Sequence, residues 1–174
     1  DGFWLVHQPG LAPLAIDACG RAGERVSPAF YREHGFEQAI PGRGPLAANT
    51  VAGTVSGWRL ALEIAGRRGG TLPLTRLLRD ARFYAENGVA VSDGQSALTA
   101  AKRGEMDGAP GFAETFLPGG AVPEPGARFT QPRLAATLRT LAERGLDEFY
   151  RGDLARVIAS DLSRVGAPIT EADL

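Results

Sequence analysis

Asn49-Thr50-Val51-Ala52-Gly53-Thr54-Val55-Ser56-Gly57-Trp58 is the stretch where the chain changes character. Beyond it Val55, Trp58, Leu62 and Ala65 recur at spacings of three and four, which predicts an amphipathic helix stopped by Gly66 and Gly69-Gly70. Small residues run straight into that helix, and two readings are open. Backbone N–H groups at a helix start can receive an anion. Alternatively, Gly53 and Gly57 let this backbone approach its neighbours closely. No Lys or Arg is interleaved as in phosphate-binding loops, which favours close packing.

Upstream the pattern is β. Phe3-Trp4-Leu5-Val6 is a short apolar run, Gln8-Pro9-Gly10 is turn chemistry, and Leu14-Ala15-Ile16 resumes the strand, so a hairpin is expected. Arg21 to Gly44 is irregular, apart from a helical turn expected over Pro28 to His34, and Ile40 to Pro45 is loop.

Downstream, Thr71 is expected to cap a helix with the stripe Leu74, Leu77, Leu78 and Ala81, stopped at Asn87-Gly88. Ser92 with Gln95 opens the next helix, which ends near Gly104. Residues 104–127 read as one long Gly/Pro-rich loop. Thr130 is expected to cap a helix presenting Leu134, Leu138 and Leu141 and stopping at Gly145. A short turn gathers Leu146, Phe149 and Tyr150. A last helix from Asp153 presents Leu154, Val157, Ile158 and Leu162 and ends at Gly166. A β edge followed by a helical layer is α+β, read as one half of a layered protein.

The averages mainly exclude. With 174 residues and 44% hydrophobic content the chain can bury a core as one domain. The 19 basic and 20 acidic residues are interspersed, so no basic patch calls for nucleic acid or an anionic membrane. No apolar run approaches the ~20 residues that span a bilayer. Cys19, the single cysteine, excludes an internal disulfide and a cysteine-cluster metal site. The ends are more telling than the averages. Asp1 leads directly into a strand, and Thr170 with Asp173 has the spacing of a helix cap. This chain is therefore expected to be one segment of something longer, incomplete at both ends.

Chemistry within the chain is sparse. His7 and His34 have no Ser or Cys neighbour in a recognisable motif, and they read as strand-turn and surface residues. No phosphate loop, dinucleotide motif or metal-ligand spacing is present, so no cofactor is expected. Asp147 and Glu148 are adjacent, share no helical face and are expected to be solvated. Cys19-Gly20-Arg21 follows a strand and enters irregular backbone. There Arg21 is either a fork for a substrate carboxylate or a structural arginine. Cys19 is either a reactive thiol or, more commonly for a lone cysteine, a small buried hydrophobe.

In order along the whole chain, several segments resemble the large-subunit portion of the γ-glutamyltransferase family, within the N-terminal-nucleophile hydrolases. Gly2-Phe3-Trp4-Leu5-Val6 and Ile16-Asp17 resemble two of its strands. Val51 to Trp58 resembles its PGTVAG segment, with Ala52 replacing the proline, and Gly70 to Leu74 matches the start of its next helix. Gln131 to Leu138 resembles QPxLAxTL, Gly145 to Gly152 resembles GxxxFYxG, and Ile169 to Leu174 resembles ITxxDL.

The resemblance implies an αββα sandwich, made as one precursor that cuts itself into two subunits. It places this chain, residues 1–174, in the large subunit. The nucleophile, an N-terminal threonine with its own α-amine as base, would belong to the small subunit, outside this chain. No catalytic residue is then expected here, and no metal. The expected partners are that small subunit and a γ-glutamyl or related acyl amide, with a higher oligomer possible. The compartment stays open between periplasm and cytoplasm. Aligned on Ile16-Asp17, Cys19 stands where the family's transferases carry the arginine that grips the γ-glutamyl carboxylate. Cys19, Gly20 and Arg21 are thus the candidate substrate-binding residues, and the Gly-Arg-Ala form resembles the γ-glutamyltransferase-like and cephalosporin acylase branch. Three activities follow as expectations: cleavage of glutathione or another γ-glutamyl amide through an acyl-threonine, a cephalosporin or glutaryl acylase activity, and a non-catalytic binding or scaffold subunit.

Overall fold

In the computed structural model, which describes all residues from Asp1 to Leu174, the expected hairpin forms. Strand β1 (Gly2–Val6) pairs antiparallel with β2 (Leu14–Ala18), with Trp4 opposite Ile16 and Phe3 opposite Asp17. Alternation along β2 buries Ile16 and Ala18 and exposes Ala15 and Asp17. Helix α1 (Pro28–Glu33) follows, its first turn capped by the Ser27 hydroxyl, which accepts from Phe30 N–H at 3.2 Å. Helix α2 (Thr54–Arg67) lies against the hairpin with Gly57 as the contact point: a Cβ there would stand 2.6 Å from Ala18 Cβ. Trp4 borders the same contact. Val55 is buried, but Leu62 is half-buried and Ala65 exposed, so the buried stripe of α2 is confined to its first turns.

These elements belong to a unit built from Asp1–Leu72 and Arg144–Leu174. Its later part holds α8 (Glu148–Arg151), α9 (Asp153–Arg164) and a 3₁₀ turn at Glu171–Asp173. In α9 the buried residues are Ala155 and Ala159, while Val157 is exposed. Small side chains at the contact let α9 sit close to its neighbours, so the larger aliphatics fall on its flanks. Glu148 also departs from expectation: its side chain is largely buried and accepts from Leu154 N–H at the start of α9. The N-terminal N–H groups of a helix need such acceptors. On the outer face of β1, Phe3 and Leu5 are 72% and 79% exposed.

The second unit, Pro73–Glu143, is a helical layer around a small sheet. The expected single helix after Thr71 is broken in two. Helix α3 (Leu74–Leu77) starts after Pro73, and α4 (Arg79–Asn87) follows a turn at Leu78. Gly88, at φ +90°, ends α4 as expected. It leads into β3 (Val89–Ala90), which pairs with β4 (Arg128–Phe129), a ladder too short to leave a periodic signal. Ser92 caps α5 (Asp93–Met106), accepting from Gln95 N–H at 3.1 Å. The expected loop 104–127 contains α6 (Phe112–Phe116), whose Phe116 stacks on Phe129. In α7 (Pro132–Arg144) the buried residues are Ala135, Leu138 and Leu141, and Leu134 is exposed. Ala135 and Leu138 close on Ala85 and Leu78, and Gln131 N–H donates to the Ala85 carbonyl at 2.8 Å. Gln131 rather than Thr130 therefore stands at the helix entrance.

Candidate functional site

At the end of β2 the Asp17 carboxylate accepts from Cys19 N–H at 2.9 Å and turns the chain out of the strand. The next residues lie against the segment quoted at the outset. Arg21 carbonyl accepts from Val51 N–H at 2.9 Å, and Gly23 N–H donates to Asn49 carbonyl at 3.1 Å, flanking a bridge between Ala22 and Thr50. The approach is as close as backbones allow. A Cβ on Gly20 would lie 1.5 Å from Val51 O, and one on Gly53 2.2 Å from Ala18 O. Close packing is thus the role of the small residues.

A second fastening comes from α8. Tyr150 hydroxyl donates to Ala52 carbonyl at 2.7 Å and accepts from Ser56 N–H at 2.9 Å. One of the N–H groups that an anion would meet at the start of α2, that of Ser56, is therefore already engaged. Tyr150→Phe removes both bonds and leaves that N–H without its partner. It should cost about 1–2 kcal/mol, read as a fall of several degrees in Tm.

A third segment closes the site. Asp173, 3% exposed, accepts from Glu24 N–H at 2.7 Å through Oδ1. Its Oδ2 accepts from Thr170 N–H at 2.8 Å and Thr170 hydroxyl at 2.9 Å. The cap expected from the spacing is real, although it opens a single 3₁₀ turn. Arg21 Nη2 donates to Asp173 carbonyl at 3.0 Å.

Burial pushes the Asp173 carboxyl up, but the bonds from Thr170 and Glu24 and the nearby Arg21 charge outweigh it, so the net displacement is downward. A folded-state value below the unfolded one adds stability that is complete above the unfolded value, about 4, and is lost as pH falls through the folded one. The Tm gap between wild type and Asp173→Asn should therefore be wide at pH 7 and should narrow as pH falls below about 4.

These segments line an open cleft of about 320 Å³ that contains all three candidate binding residues, Cys19, Gly20 and Arg21. Ser56, Tyr150 and Asp173 share its walls, as do Arg59, Arg151 and Asp147. Arg59 is paired with Glu63 at 2.7 Å. Cys19 is exposed rather than buried. The hydrogen bond between its thiol and Asp17, with desolvation and the Asp17 charge adding to it, holds the thiol above its ordinary value. It therefore stays protonated near neutrality and is a poor nucleophile. Ser56 hydroxyl donates to the Gly53 carbonyl at 2.6 Å. Neither histidine lines the cleft; His34 caps α1 and stacks on Phe30.

Sequence reasoning missed Tyr150 and Asp173 as site residues. Asp173 had half a signal in its spacing from Thr170, whereas Tyr150 read as one more apolar residue of a turn.

What these features define is an α+β chain with an arginine-lined cleft and no base–nucleophile pair in it. Residues 1–174 match the gamma-glutamyltranspeptidase family, and the chain belongs to that family. It is 51% identical over its whole length to the oxamate amidohydrolase proenzyme of Klebsiella pneumoniae, of which it covers 33%. A glutathione hydrolase-like proenzyme of Bacillus subtilis is 38% identical over 99% of the chain, and 32% of that relative is covered. The chain thus spans about a third of the length of these relatives. Among solved structures, gamma-glutamyltranspeptidase from Pseudomonas nitroreducens superposes with a TM-score of 0.81 at 31% identity, over 99% of this chain and 49% of that one. Cephalosporin acylase from Bacillus halodurans does so at 0.84 and 30%, over 98% and 32%.

Proposed function

We propose that residues 1–174 form the non-nucleophile, large-subunit part of an N-terminal-nucleophile amidohydrolase whose acyl group ends in a carboxylate. The observation that carries this is Arg21, whose guanidinium is fixed at one nitrogen by the Asp173 carbonyl while the side chain stays exposed in the cleft. A guanidinium held at one corner offers its other N–H groups in the planar fork that a carboxylate fits. The nucleophile is an N-terminal threonine in the remainder of the precursor, with its α-amine as base. Its hydroxyl attacks the amide carbon, the amine leaves with the proton, and water releases the acid from the acyl-threonine. The uncovered Phe3/Leu5 face of β1 supports an αββα sandwich, because a two-stranded hairpin gains independent stability only when further strands or a helix cover its apolar face.

The first substrate class is a short oxo-amide of the oxamate kind, whose hydrolysis with one water gives oxalate and ammonium. The 51% identity to an oxamate amidohydrolase proenzyme supports it. So does Cys19, which stands where the resemblance puts the transferases' arginine for a γ-glutamyl α-carboxylate. A γ-glutamyl donor such as glutathione is the second reading. Asp147 favours it, as an exposed carboxylate on the cleft wall able to receive an α-ammonium. Turnover of three anilides by the matured full-length protein separates them. Oxanilate should exceed both γ-glutamyl and glutaryl anilide in kcat/KM. A γ-glutamyl preference would replace the first class with the second, and a glutaryl preference would point to an acylase. A full-length chain that does not cut itself and turns over none of the three would leave the scaffold reading.

A further inference from the structure

We infer that Asp173 is a positioning residue, setting the place of Arg21 for the substrate carboxylate from the far end of the chain. The inference rests on Arg21 being the carboxylate-binding residue, as proposed above. Residues 21–24 and 170–173 are almost the whole chain apart in sequence, yet they are tied at both ends of the Arg21 loop. Asp173 carbonyl takes Arg21 Nη2 at 3.0 Å, and its side-chain Oδ1 takes Glu24 N–H at 2.7 Å. Between these contacts Gly23 gives no slack, since a Cβ there would stand 2.6 Å from Ile169 Cδ1. The Asp173 carboxylate is itself held by Thr170 N–H and hydroxyl, at 2.8 Å and 2.9 Å. One buried side chain therefore fixes the main chain that carries Arg21 and also the carbonyl that orients its guanidinium.

A carboxylate is required for this, because both oxygens accept. In Asp173→Asn one oxygen becomes an NH₂, which faces either Glu24 N–H or Thr170 N–H, donor against donor. The strain is relieved by moving the loop or the turn, and either displaces Arg21.

The measurement is the ratio of KM values for oxanilate and for oxanilamide, its uncharged analogue, using matured full-length protein. Asp173→Asn should raise the oxanilate:oxanilamide ratio about 5- to 20-fold, with kcat on oxanilate changed by less than about 3-fold. Thr170→Val, which removes one of the three donors and keeps the shape, should raise the ratio about 2- to 5-fold. This milder variant serves where Asp173→Asn does not mature. In Arg21→Ala the further change Asp173→Asn should add nothing to the ratio, because the residue it positions is gone.

An unchanged ratio in both single variants, alongside a raised ratio in Arg21→Ala, would overturn the inference and leave the carboxylate reading standing. Multiplicative effects in the double variant would overturn it as well. An unchanged ratio in Arg21→Ala itself would remove the carboxylate reading, and this inference with it.

Discussion

Gly20→Ala is expected to abolish the folded state of this region. The added methyl would be placed 1.5 Å from Val51 O, a distance no non-bonded pair tolerates. The obstacle is backbone, so no rotamer change relieves it. Relief would mean parting residues 20–23 from 49–51, which breaks the bonds between Val51 and Arg21 and between Gly23 and Asn49. A cost of at least about 4 kcal/mol follows, at the extreme of single substitutions and comparable with the whole stability of many domains. The full-length variant should be insoluble or should lose its unfolding transition at temperatures where wild type is folded. Gly66→Ala is the contrast. Gly66 lies inside α2 with nothing within 4 Å of its added Cβ, so alanine there should stabilise by about 0.5–1 kcal/mol. A Tm for Gly20→Ala close to wild type would mean that the two backbones are not in contact.

Arg21→Ala is expected to raise the KM for oxanilate by about 10- to 100-fold, the loss of one or two charge-assisted hydrogen bonds worth about 1.5–3 kcal/mol each. Arginine and carboxylate meet in the ground state as well as in the transition state, so kcat should change by less than about 3-fold. The fold should survive, because the side chain is exposed and contributes one hydrogen bond, to the Asp173 carbonyl. Arg21→Lys should recover little of the loss, since an ammonium cannot reproduce the planar fork. Equal KM changes for charged and uncharged substrates would return Arg21 to a structural role.

Much of this was legible in the residues, and the failures have physical causes. Apolar spacings of three and four marked α2 and α7, short apolar runs on either side of a turn marked β1 and β2, and the Ser92/Gln95 cap marked α5. The break at Leu78, between Leu74–Leu77 and Arg79–Asn87, left no trace, since Leu78 keeps helical φ and ψ. β3 and β4 are too short for alternation, and α6 hides among residues rich in Gly and Pro. In α9 the most buried positions are Ala155 and Ala159, beside the half-buried Leu154, Ile158 and Leu162, so counting large aliphatics passed over the contact residues and included the exposed Val157.

Cys19, Gly20 and Arg21 were singled out from their place after a strand, and all three line the one cleft. Tyr150 and Asp173 were not, because their partners are main-chain groups of Ala52, Ser56 and Glu24, each distant in sequence. A backbone donor or acceptor carries no residue identity, so such contacts have no motif.

Intact-mass analysis of the full-length protein, before and after brief exposure to oxanilate, tests the central claim most directly. The predicted result is a precursor cut into two chains, with an oxalyl adduct on the N-terminal threonine of the second and none on residues 1–174. A precursor that stays whole, or an adduct carried by Cys19, would contradict it.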